Sequence, residues 1–295
     1  MVTSANLGFP RIGAHRELKK ALESYWKGKT TREELLEVAK EMRLRHWDMQ
    51  KKAGIDHIPS NDFSLYDQVL DMTATLGCVP DRYNWDGHEI GLDLYFAMAR
   101  GSQTDGRDVI ACEMTKWFDT NYHYIVPEFK QNQKFNLAFS KIIDEFLEAK
   151  NFGIITRPVI LGPLSFLYLG KSISNKFNKL KLLNNLIPIY KKIFKLLKSF
   201  GADWVQVDEP ILSLDLDKDF KEKFIPTYNS FAKDSPKILL TSYFSSAYPN
   251  FNILKKINVT GIHLDLINTK SEELNKILKN FPMNKFLSAG LINGR

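Results

Sequence analysis

The sequence is poor in cysteine, with Cys78 and Cys112 alone among 295 residues. They have neither CxxC spacing nor a disulfide framework around them, which excludes a cysteine-stapled fold and makes a reducing cytoplasm the expected compartment. No run reaches the roughly 18 apolar residues of a membrane-spanning helix, so no membrane partner is expected. The start, Met1-Val2-Thr3-Ser4-Ala5-Asn6, lacks the basic and apolar regions of a secretory signal. Walker, GxGxxG, GxSxG and HExxH motifs are all missing, so phosphate-loop, dinucleotide, serine-hydrolase and zincin chemistry have no basis in motif. The six histidines are His15, His46, His57, His88, His123 and His263, and none lies two residues from a cysteine. Cys112-Glu113 near His123 is thin evidence for a metal.

What is present is a globular composition, 44% hydrophobic and 25% charged, in a chain of ordinary length for one α/β barrel. The net charge of +7 is uneven: residues 1–150 carry 20 Lys+Arg and 23 Asp+Glu (−3), and residues 151–295 carry 21 and 11 (+10). Between Lys171 and Lys198 there are eight lysines and no acid. An anion- or nucleic-acid-binding face would use such a run. A solvated helix face explains it with less, because arginine is almost absent and no RNA-binding signature accompanies it; no nucleic-acid partner is expected.

Short β-branched runs alternate with segments of helical period. The pattern predicts strands near Ala5–Gly8, Ile55–Ile58, Met114–Trp117, Pro158–Leu161, Trp204–Val207, Ile238–Tyr243, Gly261–Asp265 and Phe286–Gly290. It predicts helices near 16–27, 31–53, 66–76, 92–100, 135–150, 179–200, 220–232, 252–256 and 272–279. Thr31 and Glu34 form a T-x-x-E capping box, Gly54 and Gly201 stand where helices end, and Pro188 is placed to kink or split its helix. Eight strands alternating with helices point to an α/β fold, a (β/α)8 TIM-type barrel with additional helices. A doubly wound sheet is the main rival. One domain over 1–295 is expected, and since no helix follows Phe286–Gly290, the last barrel helix is expected to be missing.

Ligand chemistry in such a barrel sits at the carboxyl ends of strands. Those ends carry Gly8-Phe9-Pro10-Arg11-Ile12-Gly13, Pro59-Ser60-Asn61-Asp62, Lys116-Trp117-Phe118-Asp119-Thr120-Asn121, Leu161-Gly162-Pro163 and Gln206-Val207-Asp208-Glu209-Pro210. Arg16, Lys19 and Lys20 share one helix face at i, i+3, i+4. Cations at a helix amino terminus oppose the dipole but raise the local positive potential, and with the free N–H groups they suit an anion. On spacing alone a charged solvent face, with Glu17 as local partner, weighs more. Asp208-Glu209 reads as a structural tie between strand ends rather than as half of a glycosidase pair with Glu113 or Asp265.

Taken together, the strings resemble the cobalamin-independent methionine synthase family, in its amino-terminal half. They are Leu7-Gly8-Phe9-Pro10-Arg11-Ile12-Gly13, Arg16-Glu17-Leu18-Lys19-Lys20, Glu23-Ser24-Tyr25-Trp26, Arg45-His46-Trp47-Asp48, Glu113-Met114-Thr115-Lys116-Trp117-Phe118, Thr120-Asn121-Tyr122-His123-Tyr124, Val126-Pro127-Glu128-Phe129, Trp204-Val205-Gln206-Val207-Asp208-Glu209-Pro210 and Leu287–Arg295, in family order across the chain. The resemblance implies a methyltransferase of two barrels that moves methyl from 5-methyltetrahydropteroyltri-L-glutamate to L-homocysteine, forming L-methionine without cobalamin. It implies that Arg16, Glu17, Leu18, Lys19 and Lys116 bind the folate polyglutamate. It places zinc, homocysteine and the catalytic residues on a carboxy-terminal barrel absent from this chain, so the isolated chain is expected to be inactive, with no catalytic residue and no metal ligand of its own. The alternative is a truncated, non-catalytic folate-binding barrel.

Overall fold

A computed structural model describes residues 2–103, 108–173 and 177–293; Gly294 and Arg295 of the last family string, and Ser174 to Lys176 of the lysine-rich run, lie outside the described residues. In chain order the helices are α1 (Glu17–Trp26), α2 (Arg32–Lys52), α3 (Gln68–Thr75), α4 (Leu92–Arg100), α5 (Lys141–Asn151), α6 (Pro163–Leu169), α7 (Leu183–Ser199), α8 (Lys218–Asn229), α9 (Phe251–Lys256) and α10 (Ser271–Asn280). The strands are β1 (Pro59–Ser60), β2 (Met114–Lys116), β3 (His123–Ile125), β4 (Glu128–Phe129), β5 (Arg157–Leu161), β6 (Lys171–Ser172), β7 (Trp204–Asp208), β8 (Lys237–Thr241), β9 (Gly261–Asp265) and β10 (Phe286–Gly290). The chain packs as two compact units: residues 1–128 with 136–159, and residues 129–135 with 160–295.

In the first unit, α2 starts at the capping box read from the sequence: Thr31 Oγ1 accepts the Glu34 N–H and Glu34 returns to the Thr31 N–H. Its buried stripe, Leu35, Ala39 and Met42, packs with Leu18 and Leu22 of α1 and with Phe63, Leu70 and Tyr95 in one apolar cluster. β1 pairs in parallel with the start of β5, Pro59 with Arg157 and Ser60 with Pro158.

The second unit carries the longer ladder. From the end of β5 the order is β7, β8, β9, β10. The ladders β7–β8, β8–β9 and β9–β10 are parallel. Val205, Val207, Leu240, Ile262 and Leu264 are buried along these strands, as are Leu186, Ile193, Phe194 and Leu197 of α7. That helix runs unbroken through Pro188 from Leu183, after a 3-10 turn at Lys179–Leu182, so the proline does not split it. Lys192, Lys195 and Lys198 are exposed on α7, the solvated face that composition favoured.

The α/β class and the mostly parallel sheet are as the pattern predicts, but eight strands closing into a barrel are not seen: neither ladder closes on itself among the described residues. Two expected strands account for the difference, and a third, Ile55–Ile58, forms instead at Pro59–Ser60, in the segment expected to be its exit loop. Ala5–Gly8 makes a single parallel bridge, Ala5 with His57, and no further ladder. Met114–Trp117 does not join the parallel sheet. Its strand folds back on β3 as an antiparallel hairpin, Met114 opposite Ile125 and Lys116 opposite His123.

Candidate functional site

Local backbone constraints shape the loop before α1. Gly13 has φ 83. A Cβ there would fall 2.1 Å from Glu17 Oε2 and 2.9 Å from Met42 Cε, so a side chain cannot be added without moving Glu17. Arg16 enters the helix in the left-handed region, φ 59 and ψ 37, with its N–H donating to Gly13 O at 3.1 Å. Arg16, Lys19 and Lys20 are exposed around this first turn. Lys19 Nζ approaches Glu23 Oε1 at 3.7 Å, a solvent-exposed i, i+4 pair.

Glu17 and Leu18 hold the turn in place. Glu17 Oε2 accepts the His15 N–H at 2.9 Å and Oε1 accepts Arg45 Nη2 at 2.8 Å. Its own N–H, the His15 N–H and Arg45 keep the carboxyl down at about 2, so it stays ionised at the positive end of α1. Leu18 is 0% exposed, and its N–H donates to Ile12 O at 3.3 Å. The Leu18 side chain therefore belongs to the core and offers a ligand nothing but its backbone.

Lys116 lies on a different element, exposed on β2. The turn beyond it is closed by Trp117 N–H to Tyr122 O at 2.8 Å, Thr120 Oγ1 to Trp117 O at 2.6 Å and Tyr122 N–H to Thr120 Oγ1 at 3.1 Å. The buried Trp117 ring packs edge-on against Phe118 and Tyr124. One helical turn thus gathers Arg16, Glu17, Leu18 and Lys19, while Lys116 comes from the hairpin.

Both elements are tied to the short segment after β1. Asp62 Oδ2 accepts the Phe9 N–H at 2.7 Å, and Arg11 donates to the carbonyls of Ser64 and Tyr66. Farther along, Asp67 Oδ1 accepts the N–H groups of Val69 and Leu70 at 2.8 Å each, capping α3, and Oδ2 accepts the Ile125 N–H of β3 at 3.0 Å. Burial pushes Asp62 up to about 6 and Asp67 up to about 7; the backbone N–H donors oppose that rise. The Phe9 ring packs on His46 of α2 at 4.6 Å, and Trp47 Nε1 donates to Pro59 O at 3.0 Å.

Under this segment lies a buried charge cluster. Lys141 Nζ donates to Asn61 Oδ1 at 2.8 Å and pairs with Asp71 and Glu145 at 3.2 and 3.3 Å. Arg43 binds Glu148 through Nε and Nη2 at 2.7 and 3.1 Å. Asn61 itself has φ 62, held there by its N–H on Glu145 Oε2 and its Nδ2 on Val159 O.

In the second unit Asp208-Glu209 is the structural tie that strand-end polarity suggested. Glu209 accepts the N–H groups of Leu164 and Ser165, the Ser165 hydroxyl and the Tyr228 hydroxyl. A Cβ on Gly162 would fall 2.2 Å from its Oε1. Asp208 accepts from Gln206 at 2.9 Å and Tyr243 at 3.2 Å, and Asp265 binds the N–H groups of Ile267 and Asn268 in a turn.

The family model of the cobalamin-independent synthase N-terminal domain matches residues 3–295. The chain belongs to the cobalamin-independent synthase family, in its N-terminal domain. Over 290 residues it is 48% identical to the 5-methyltetrahydropteroyltriglutamate–homocysteine methyltransferase of Nitrosomonas europaea, covering 98% of this chain and 38% of that protein. The enzyme of the same name from Xylella fastidiosa strain 9a5c is 49% identical over 296 residues, covering 100% and 39%. The chain thus spans about two fifths of these relatives. A solved B12-independent methionine synthase from Shewanella sp. W3-18-1, in complex with selenomethionine, shares the fold at TM-score 0.63 and 15% identity, over 88% of this chain and 72% of that one.

Family strings that look like separate motifs meet in this domain: Arg45 holds Glu17, and His46 packs on Phe9. No group of three or more His, Cys, Asp and Glu among the described residues is placed to hold a metal, so the zinc that the resemblance implies finds no fitting donor set among them. Sequence reading missed Asp67. An aspartate before Gln68-Val69-Leu70 is a recognisable N-cap; its second partner, 58 residues away, carries no local signal.

Proposed function

We propose that this domain binds the polyglutamate tail of 5-methyltetrahydropteroyltri-L-glutamate within a methyltransferase that methylates L-homocysteine to L-methionine. Arg16, Lys19 and Lys116 supply charge to successive tail carboxylates. Glu17 and Leu18 set the turn that presents the first two, Glu17 through Arg45 and Leu18 through the core. Homocysteine, zinc and the chemical step belong to a carboxy-terminal barrel, and cobalamin takes no part. A cytoplasmic location goes with this reading; no helix among the described residues is long and apolar enough to cross a membrane.

The observation that carries the reading is the separation of charge at the site. Cations on α1 and β2 are exposed, whereas Asp62 and Asp67, in the segment that ties those two elements, face backbone N–H donors. Exposed ion pairs are each worth about 0–1 kcal/mol and are screened by salt. Affinity should therefore rise with tail length and fall with ionic strength. In the full-length protein, Lys19→Ala or Lys116→Ala should weaken triglutamate more than monoglutamate folate. Equal losses for both would assign these residues to the pterin or the fold, and no loss for either would remove them from the site. A truncated, non-catalytic folate-binding module has the same binding profile and differs in making no methionine in a methyl-transfer assay.

A further inference from the structure

We infer that Asp67 is the positioning residue for Lys116, acting through the backbone of the hairpin and not through the ligand; the inference rests on the polyglutamate reading above. Lys116 stands on β2, whose ladder partner is β3. The rung that opposes Ile125 is Met114, two residues before Lys116. Two residues along a strand are about 7 Å. The Ile125 N–H donates to Asp67 Oδ2 at 3.0 Å, so the base of the hairpin is fixed to a carboxylate one short strand length from the lysine.

The other side of that carboxylate is equally fixed. Asp67 Oδ1 takes two N–H groups of the first turn of α3, Val69 and Leu70, and the side chain is 8% exposed. Three backbone donors on one buried carboxylate leave it little room to swing. The same segment carries Asp62, which holds the Phe9 N–H of the loop feeding α1, and the Ser64 and Tyr66 carbonyls, which receive Arg11. Residues 62–67 are therefore the common reference for the α1 cations and for Lys116. A flexible lysine ammonium gains from a fixed root, because ordering it on binding costs less entropy.

A charge argument separates this role from an electrostatic one. A carboxylate near a polyanion site repels the ligand, so removing its charge alone would tighten triglutamate binding. Removing an anchor would weaken it. Asp67→Ser keeps a good N-cap for α3 and cannot reach Ile125; Asp67→Asn keeps the shape and turns an N–H donor toward one of the three amides. Stability should change little through the cap, so binding reads the hairpin.

The experiment is a double-mutant cycle of Asp67→Ser and Lys116→Ala in the full-length protein, read by triglutamate and monoglutamate folate binding, with hydrogen exchange at the Ile125 amide. We expect Asp67→Ser to speed Ile125 exchange about tenfold or more, the scale of a lost hydrogen bond to a charged acceptor. It should weaken triglutamate binding by up to about fivefold, the worth of one exposed ion pair, with little effect on monoglutamate. The double variant should bind like Lys116→Ala alone, and Asp67→Asn should weaken binding in the same direction. Tighter triglutamate binding in either Asp67 variant, additive losses in the cycle, or unchanged Ile125 exchange overturns the inference. A silent Lys116→Ala together with accelerated exchange overturns the folate reading of Lys116 while upholding the anchor, so the two failures are distinct.

Discussion

Replacing Lys141 by methionine tests whether the cluster beneath the candidate site is a buried ion network. The Lys141 side chain is 11% exposed, and its partners Asp71 and Glu145 are 6% and 5% exposed. Burial alone would lower the Lys141 pKa, but Asp71 and Glu145 carry it above its ordinary value, so it is charged whenever they are. Methionine fills most of the volume and removes the charge. Glu145 then keeps the Asn61 N–H and Arg43 at 3.8 Å, while Asp71 keeps the Tyr95 hydroxyl at 2.6 Å. Stranding a buried carboxylate typically costs about 3–5 kcal/mol. At roughly 2–4 °C per kcal/mol for a unit of this size, Tm should fall by about 6–20 °C. Urea unfolding followed by tryptophan fluorescence, with calorimetry, measures both. Adding Asp71→Asn should restore part of the loss, since it removes the stranded charge and keeps an acceptor for Tyr95. A folded-state pKa raised above 10.5 means that the lysine's contribution is complete below that pH and is lost only as pH climbs past it. A loss under about 1 kcal/mol, or no recovery in the double variant, would show that water reaches the cluster and refute the reasoning.

Gly13→Ala should destabilise the domain by about 1–3 kcal/mol and weaken triglutamate binding, because φ 83 disfavours alanine and the new Cβ displaces Glu17; denaturation and binding titrations check it. Asp62, pushed up to about 6 by burial, holds a proton in the native state that the unfolded chain has released between about pH 4 and 6. Its contribution to stability should therefore decline as pH rises across that window, and Asp62→Asn should flatten that part of the pH–stability profile. In the second unit, Glu209→Gln should cost about 1–3 kcal/mol, since an amide N–H₂ then faces one of the backbone N–H groups of Leu164 and Ser165; calorimetry of the variant reads it.

Sequence made the second unit legible because its signals are local. Four short apolar runs, at Trp204–Asp208, Lys237–Thr241, Gly261–Asp265 and Phe286–Gly290, form the parallel ladder, and the predicted bounds differ by two residues at most. The first unit was harder. Met114–Lys116 has the composition of a strand whichever partner it takes, and the antiparallel partner is chosen by a turn built from Thr120 and Trp117. The five residues carried over from the family fall into three physical kinds that composition does not separate: exposed cations, an ionised clamp at Glu17 and a wholly buried leucine.

Net charge hid the candidate site for a related reason. Residues 1–150 carry three more acids than bases, which by itself argues against a polyanion partner. The tally treats every charge as equal, and the fold does not. Asp67, Asp71 and Glu145 are buried, and Asp62 faces a backbone N–H at 2.7 Å. On the proposed reading, Arg16, Lys19, Lys20 and Lys116, which remain exposed, would attract an incoming carboxylate. Because that attraction is exposed it is also screened, over about 8 Å at physiological salt. The first half of the sequence, acidic by count, thus still carries exposed cations at α1, and some of its acids, Asp62 and Asp67 among them, hold the elements that bear those cations.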